Sequence, residues 1–488
     1  MNLFPTPEYY CGLPNNFIFS DKVYMLIPEN FSNKEFITLA KELWHNFTAN
    51  KSTLEIRRSP NLRTGAYISN SMQAILQNGK TDYEYEINCG EYGISITFSQ
   101  ENGLIHAFST VLQMLPPYSL SKNNFQMKCF EIKDKPSLEM RCMHLCVFPE
   151  TTLLFLKKMI RLFGLLKCSH IILEFWGMLK FDCFPYLGWQ DAYTKEDLLP
   201  LISDGKALGV EFIPMFNHMG HASGSRFKAG KHVILDQAPE YEEYFSPDGW
   251  TWNINNPDVL ELQDKMRHEL CEIFGEGKYF HIGCDEVYAA DCLCNPYDKE
   301  DNENFISYIN NTASGIAAMG RIPIMWGDMF LDIKDFPYPF CSNLAYRCCD
   351  GKNNLSKLAE NVIIADWQYN IDGENTKSVD FFLDVIPRDR LLLCPWEGKD
   401  NVKGRCDIAR REGLYGVIGT TWNGICREPK FAVYTACLMW ENTENQTPFE
   451  RWEVFKVMTA KNIRKLVPCG GIYEDAGFFE RELDFKPL

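Results

Sequence analysis

Apolar positions change their spacing along the chain near residue 140. Before that point, residues 83–87 and 93–98 alternate apolar and polar side chains with period two around Cys89-Gly90-Glu91-Tyr92, which predicts a hairpin. Asn102-Gly103 then opens a helix with Leu104, Ala107, Val111, Leu112 and Leu115 on its apolar side, stopped by Pro116-Pro117. Short strand-like runs and two helical ones make this a small α+β layer. The polar stretch 118–124 and the segment ending at Pro136 mark its boundary, giving an N-terminal α+β domain over 1–136.

From Met140 onward, apolar runs recur at 140–147, 171–175, 210–216, 279–283, 322–326, 362–367, 391–395 and 416–422, each followed by a helical stretch. The clearest helix carries Val259, Leu262, Met266, Leu270 and Ile273 on one face and begins at Asn256-Pro257-Asp258, with proline at its first position. Eight buried runs alternating with helices predict an α/β fold, a (β/α)8 TIM barrel spanning 137–488 with a C-terminal helical segment. In such a barrel the chemistry sits where strands end. The ends here carry Glu174, then Asn217 to His221, Asp285 and Glu286, and Trp326 to Asp328. Trp367 to Tyr369, Trp396-Glu397 and Trp422-Asn423 follow. Polar and aromatic groups concentrate there more than packing alone requires.

Composition narrows the partners. With 45% hydrophobic and 23% charged residues the chain is an ordinary globular one. Its net charge of −16 argues against nucleic acid or an anionic membrane surface as partner. No apolar run approaches the roughly 20 residues a membrane helix needs, and the opening Met1-Asn2-Leu3-Phe4-Pro5-Thr6-Pro7-Glu8 lacks the pattern of a secretory signal. The 19 cysteines are odd in number and often sit inside apolar runs, which suits reduced thiols and a cytoplasmic setting. No oligomeric state is predicted.

The densest constellation is His281-Ile282-Gly283-Cys284-Asp285-Glu286. Two carboxylates ending a buried strand are costly unless hydrated or paired, and a carboxyl beside another carboxylate has the raised pKa of a general acid. A retaining glycosidase with a protein nucleophile needs two carboxyls about 5–5.5 Å apart across the sugar. Consecutive residues leaving one strand diverge instead. That geometry suits a reaction whose nucleophile is the substrate's own 2-acetamido group.

The stretch 280–286 resembles the His-x-Gly-Gly-Asp-Glu signature of glycoside hydrolase family 20, the β-N-acetylhexosaminidases. Further resemblances follow in order along the chain: Gly103-Leu104 and 110–113 in the N-terminal domain, 132–136 with Met140-Arg141 at the barrel entry, 214–221, and Asn253 to Pro257. The resemblance implies Glu286 as acid/base, Asp285 orienting the acetamido nitrogen, and Arg141 gripping sugar hydroxyls with its guanidinium fork. It implies Trp422 stacking under the ring, Trp326 and Trp367 walling the acetamido methyl, and His221 and His281 backing the acids. Tyr369 stands in for the tyrosine that binds the acetamido carbonyl, and Trp396 and Asn423 join the substrate set.

The chain departs from the family at Cys284 for glycine, at Cys146 for aspartate, and at Gly424 for the glutamate that contacts O4 and O6. In these respects it is similar to the hexosaminidase D-like branch. The expected activity is release of terminal β-GalNAc or β-GlcNAc from an oligosaccharide or glycoconjugate. A glycosidase for 6-sulfated GlcNAc and a catalytically silent sugar-binding barrel are the alternatives. A thiolate-rich zinc site around Cys284, Asp285, Cys292 and Cys294, with Cys348, Cys349 and His281, competes for the same region. Cys292-x-Cys294 lacks the usual two-residue spacing and no His-Glu-x-x-His occurs, so no metal and no cofactor is expected.

Overall fold

Two sheets carry the chain, and the computed structural model describes residues 3–60, 71–76, 82–115, 125–223, 233–247, 249–287, 299–340, 351–371, 373–422, 429–442 and 462–468. The first sheet holds β1 (Tyr9–Ile18), β2 (Lys22–Ile27), β3 (Thr53–Arg58), β4 (Ser71–Leu76), β5 (Tyr85–Cys89), β6 (Gly93–Phe98) and β7 (Gln126–Asp134) in the order β1-β7-β5-β6-β4-β2-β3. Its β5–β6 hairpin is the predicted one: Ile87 lies opposite Ile96, and the Gly90 amide donates to the Gly93 carbonyl at 2.9 Å. Helices α1 (Lys34–Phe47) and α2 (Glu101–Met114) pack against this sheet. A β-carbon on Gly103 of α2 would stand 2.6 Å from the Glu84 carbonyl oxygen, so only glycine permits that approach.

The second sheet is parallel throughout. Its strands are β8 (Met140–Val147), β9 (His170–Phe175), β10 (Glu211–Pro214), β11 (Tyr279–His281), β12 (Ile322–Trp326), β13 (Ile363–Trp367), β14 (Leu391–Cys394) and β15 (Gly416–Gly419). They run in the order β10-β9-β8-β15-β14-β13-β12-β11. The ring closes between β10 and β11 through one bridge, Met215 to His281, extended by amide bonds from Phe216 to the His281 carbonyl (3.1 Å) and from His218 to the Ile282 carbonyl (3.0 Å). This is the (β/α)8 barrel the apolar runs predict.

Helices alternate with the strands, among them α3 (Leu153–Leu165) and α4 (Lys195–Ala207). The helix Pro257–Phe274 starts where Asn256-Pro257 predicts. The Asn256 side chain accepts the Asp258 amide at 3.0 Å, and Val259, Leu262, Met266, Leu270 and Ile273 are all buried. Alternate strand residues point inward. Met140, Cys142, Ile172, Ile213, Ile324 and Leu392 fill the lower barrel, and polar and aromatic groups take over above them.

Several ladders are shorter than their apolar runs, notably Tyr279–His281 within 279–283 and Gly416–Gly419 within 416–422. After His281 the backbone leaves the ladder because Gly283 (φ 66°) and Cys284 (φ 68°) are left-handed. Of the residues beyond those ladders, Trp422 packs on the inner barrel cluster and Ile282 on the outer core.

The two sheets meet at a buried ionic knot at the N-terminal end of the barrel. Lys167 Nζ donates to Asp134 Oδ2 and to the Tyr85 hydroxyl, each at 2.7 Å, and the Trp440 indole donates to Asp134 Oδ1 at 3.0 Å.

Candidate active site

The acidic pair leaves β11 on an unusual backbone. Gly283 is left-handed, and a β-carbon there would stand 2.0 Å from Asn217 Oδ1, so residue 283 must be glycine. Cys284 and Glu286 (φ 49°) follow in the same region, each costing on the order of 1–3 kcal/mol for a side-chain-bearing residue. The surroundings hold this conformation in place. The Gly283 amide donates to His281 Nδ1 at 3.1 Å, and the Trp250 indole donates to the Glu286 carbonyl at 2.6 Å. The Cys284 thiol is buried against the Ile282 carbonyl, and burial pushes its pKa well up.

One imidazole serves both acids. His221 Nε2 lies 3.3 Å from Asp285 Oδ2 and 3.2 Å from Glu286 Oε2. His221 is itself left-handed (φ 60°), and its ring rests 4.3 Å from that of Trp250. The neighbouring Gly220 lets the segment pass the acidic pair, since a β-carbon there would stand 2.2 Å from the Asp285 carbonyl oxygen. The two carboxylates therefore do not diverge as consecutive strand residues are expected to: the left-handed turn gathers both onto one imidazole, on the same side of the site.

A third carboxyl stands behind them. Asp328 Oδ2 accepts the Glu286 amide at 3.0 Å, Oδ1 accepts the Trp367 indole at 3.1 Å, and the residue is 1% exposed. Burial first, then the charge of Asp285, pushes its carboxyl up to about 8. The Glu286 amide and the Trp367 indole pull the other way, and the Glu286 charge adds to the rise.

Aromatic rings line the rest of the mouth. Trp326 is fully buried, with ring centres 4.3 Å from His281 and 5.3 Å from Trp422. Trp367 lies 5.3 Å from Tyr369, which meets Trp396 edge-on at 5.4 Å. The Trp422 indole donates to the Tyr369 hydroxyl, with Thr420 Oγ1 at 3.3 Å from the same oxygen. The mouth therefore offers carboxylates on the β11 side and a connected wall of indole and phenol rings on the β12–β15 side. Such a surface can stack on a sugar ring.

Of the residues singled out in the sequence, the structure brings together Asp285, Glu286, His221, His281, Trp326, Trp367, Tyr369, Trp396 and Trp422. It does not bring Arg141 to them. Arg141 is the second residue of β8, at the far end of the barrel, roughly 15–20 Å of strand below the mouth. Its guanidinium is spent on the carbonyls of Leu138 (2.8 Å), Glu139 (3.0 Å) and Lys167 (3.0 Å) and lies over Trp440 at 5.0 Å. A sugar at the mouth is out of its reach, so its expected role is corrected to one in the joint between the sheets. Asn423 lies outside the described residues, as do Gly424, Cys292, Cys294, Cys348 and Cys349. Sequence reasoning gave no role to Trp250, which sits in an irregular segment without periodicity. It placed Asp328 at a strand end but assigned it nothing.

Two family models match, "Glycosyl hydrolase family 20, catalytic domain" over residues 183–386 and "Glycosyl hydrolase family 20, domain 2" over residues 1–135. Hexosaminidase D of Bos taurus is 26% identical over 195 residues, 37% of this chain and 53% of the relative. Lacto-N-biosidase of Bifidobacterium bifidum is 21% identical over 299 residues, 58% of this chain and 25% of the relative. The chain spans between a quarter and about half of the length of the curated relatives it matches first. In fold it is similar to the β-N-acetylhexosaminidase of Bacteroides fragilis (TM-score 0.66, 18% identity, 94% of this chain and 95% of that one). It is likewise similar to the chitobiase of Flavobacterium johnsoniae (TM-score 0.68, 15% identity, 99% of this chain and 74% of that one). Among the described residues, no helix is long and apolar enough to cross a membrane.

Proposed function

The chain belongs to glycosyl hydrolase family 20, and on that premise we propose that it releases terminal β-linked N-acetylhexosamine with retention, using the substrate's acetamido group as nucleophile. The observation that carries this reading is the single His221 nitrogen within 3.3 Å of both carboxylates. Carboxyls gathered on one side cannot flank a sugar from opposite faces, as a protein nucleophile and a general acid must.

Glu286 gives its proton to the leaving oxygen as the C1–O bond breaks and the acetamido oxygen bonds to C1. Asp285 accepts the acetamido N–H and faces the positive charge that develops on the oxazolinium ring. Water then attacks C1, returns a proton to Glu286 and reopens the ring. His221 keeps the two acids in register, and Asp328 holds the backbone of Glu286 in its left-handed turn. Trp422 supplies the stacking surface, Trp326 and Trp367 the methyl wall, and Tyr369 the hydroxyl for the acetamido carbonyl.

Specificity follows the hexosaminidase D-like pattern, with GalNAc accepted about as well as GlcNAc. The support is in the sequence, where Gly424 replaces the glutamate that in the family contacts O4 and O6. A missing charge-assisted contact is worth roughly 1.5–3 kcal/mol. A cytoplasmic setting belongs to the same reading, supported by thiols such as Cys142, Cys168 and Cys394 buried inside apolar stretches of the barrel.

The test is a panel of aryl β-glycosides (GlcNAc, GalNAc, glucose, galactose) with a thiazoline analogue as inhibitor and a 2-fluoro glycoside as trap. Hydrolysis confined to the acetamido sugars, competitive thiazoline inhibition and no covalent label are expected. A stable glycosyl adduct on any carboxylate refutes the substrate-assisted step.

A further inference from the structure

Three metal-binding side chains converge on the inner wall of β8 and β9, in a place to which the proposed reaction assigns no role. His144 and Cys146 alternate onto the same face of β8, and Glu174 stands directly beside Cys146 in the register of the two strands. All three are buried. His144 Nε2 is 3.1 Å from Glu174 Oε2, Cys146 Sγ is 3.5 Å from that same oxygen, and Sγ is 3.9 Å from Nε2. The second Glu174 oxygen takes the Asn217 side-chain amide at 3.3 Å, which fixes the plane of the carboxylate.

We propose that His144, Cys146 and Glu174 form a binding site for a zinc-class divalent cation. The dimensions fit. A tetrahedral zinc with bonds of about 2.0–2.3 Å holds its donors roughly 3.3–3.7 Å apart, and the three observed edges bracket that interval. The donor set fits as well. One thiolate, one imidazole and one carboxylate suit zinc and exclude calcium and magnesium, which take oxygen donors.

Charge is the third argument. A divalent cation with one thiolate, one carboxylate and a neutral imidazole sums to zero, which a dry wall tolerates. Asn217 then plays the outer role of orienting a ligating carboxylate. Three protein donors leave a fourth position for water or a substrate hydroxyl, the arrangement of open zinc sites. The His144 ring lies 4.7 Å from Trp422, so that position is beside the stacking surface. Binding expels the Cys146 thiol proton to solvent and is therefore pH-dependent.

The experiment is metal analysis of the whole chain and does not depend on its activity. Purified protein is stripped with EDTA, loaded with zinc chloride, desalted and analysed by mass spectrometry. Wild type should retain one zinc per chain. Cys146→Ala and His144→Ala should retain less than about a fifth of that. A variant with Cys292, Cys294, Cys348 and Cys349 changed to serine should keep its zinc. Retention by wild type below about a fifth of an equivalent, or equal retention by Cys146→Ala, overturns the proposal. Should the alanine variants fail to fold, X-ray absorption on zinc-loaded wild type decides. One sulfur at about 2.3 Å with nitrogen and oxygen at about 2.0 Å supports the site. No sulfur, or several, refutes it.

Discussion

Replacing Asp328 by asparagine separates its two tasks, holding Glu286 and storing a proton. The amide keeps the shape but offers one acceptor oxygen where the carboxyl offers two. Either the Glu286 amide or the Trp367 indole then faces an NH2 group. A buried donor left unmatched costs about 1–3 kcal/mol. If that loss falls on the turn that aims Glu286, kcat/KM drops about 5- to 150-fold.

The second task has a pH signature. The carboxyl ordinarily titrates at 3.8 and here at about 8, so the folded chain binds the proton more tightly than the unfolded one. Its contribution to stability is therefore full below about pH 4 and is lost as pH climbs to 8. At about 1.4 kcal/mol per pH decade the interval amounts to on the order of 5 kcal/mol, a ceiling for a group coupled to two other acids. Urea denaturation of wild type and Asp328→Asn from pH 4 to 8.5 reads it directly. The variant should be the less stable protein at the acid end, and the gap should narrow or invert toward pH 8. Parallel stability profiles across that interval would refute the assignment of the stored proton to Asp328.

Glu286→Gln should lower kcat on a poor-leaving-group N-acetylhexosaminide by about 10²–10⁴-fold, and near-wild-type turnover would remove Glu286 as the acid. Arg141→Met should lower the melting temperature by several degrees, since buried carbonyls lose their donor, while KM stays unchanged. A large rise in KM without loss of stability would return Arg141 to the sugar. Gly283→Ala forces a methyl to within 2.0 Å of Asn217 Oδ1 at a positive φ, so a loss of roughly 2 kcal/mol or more with near-complete loss of activity is expected in denaturation and turnover assays. Unchanged stability would show that the loop can relax.

The barrel was legible because eight apolar runs each lie between helical stretches, and a buried parallel strand has few other ways to look. Its active end was legible for the same reason, since residues following each run must lie on one rim. That rule placed Asp285, Glu286, Trp326, Asp328, Trp367, Tyr369 and Glu174 together. It also excluded Arg141, which begins its run instead of ending it. The structure agrees with the strand position of Arg141 and not with the role that the motif resemblance implies. His221 and Trp250 meet because 217–223 and 249–252 fold back along the mouth, held by contacts such as the Ala222 amide to the Trp250 carbonyl at 2.8 Å. Non-periodic segments leave no pattern that announces such a meeting.

The single bridge that joins β10 to β11 makes the barrel a hoop with one clasp, and the clasp lies under the acidic pair. His221 belongs to one side of it, Asp285 and Glu286 to the other. Every other neighbouring pair of barrel strands is sewn by a longer ladder, so the least costly way for the hoop to spring is along this line. A sugar that engages the acids would draw the two lips together and act as a second fastener. Amides of Phe216 and His218, which cross the line, should then be the barrel amides whose exchange with solvent slows most when a thiazoline inhibitor binds. Occupancy would then be felt as tension around the whole ring.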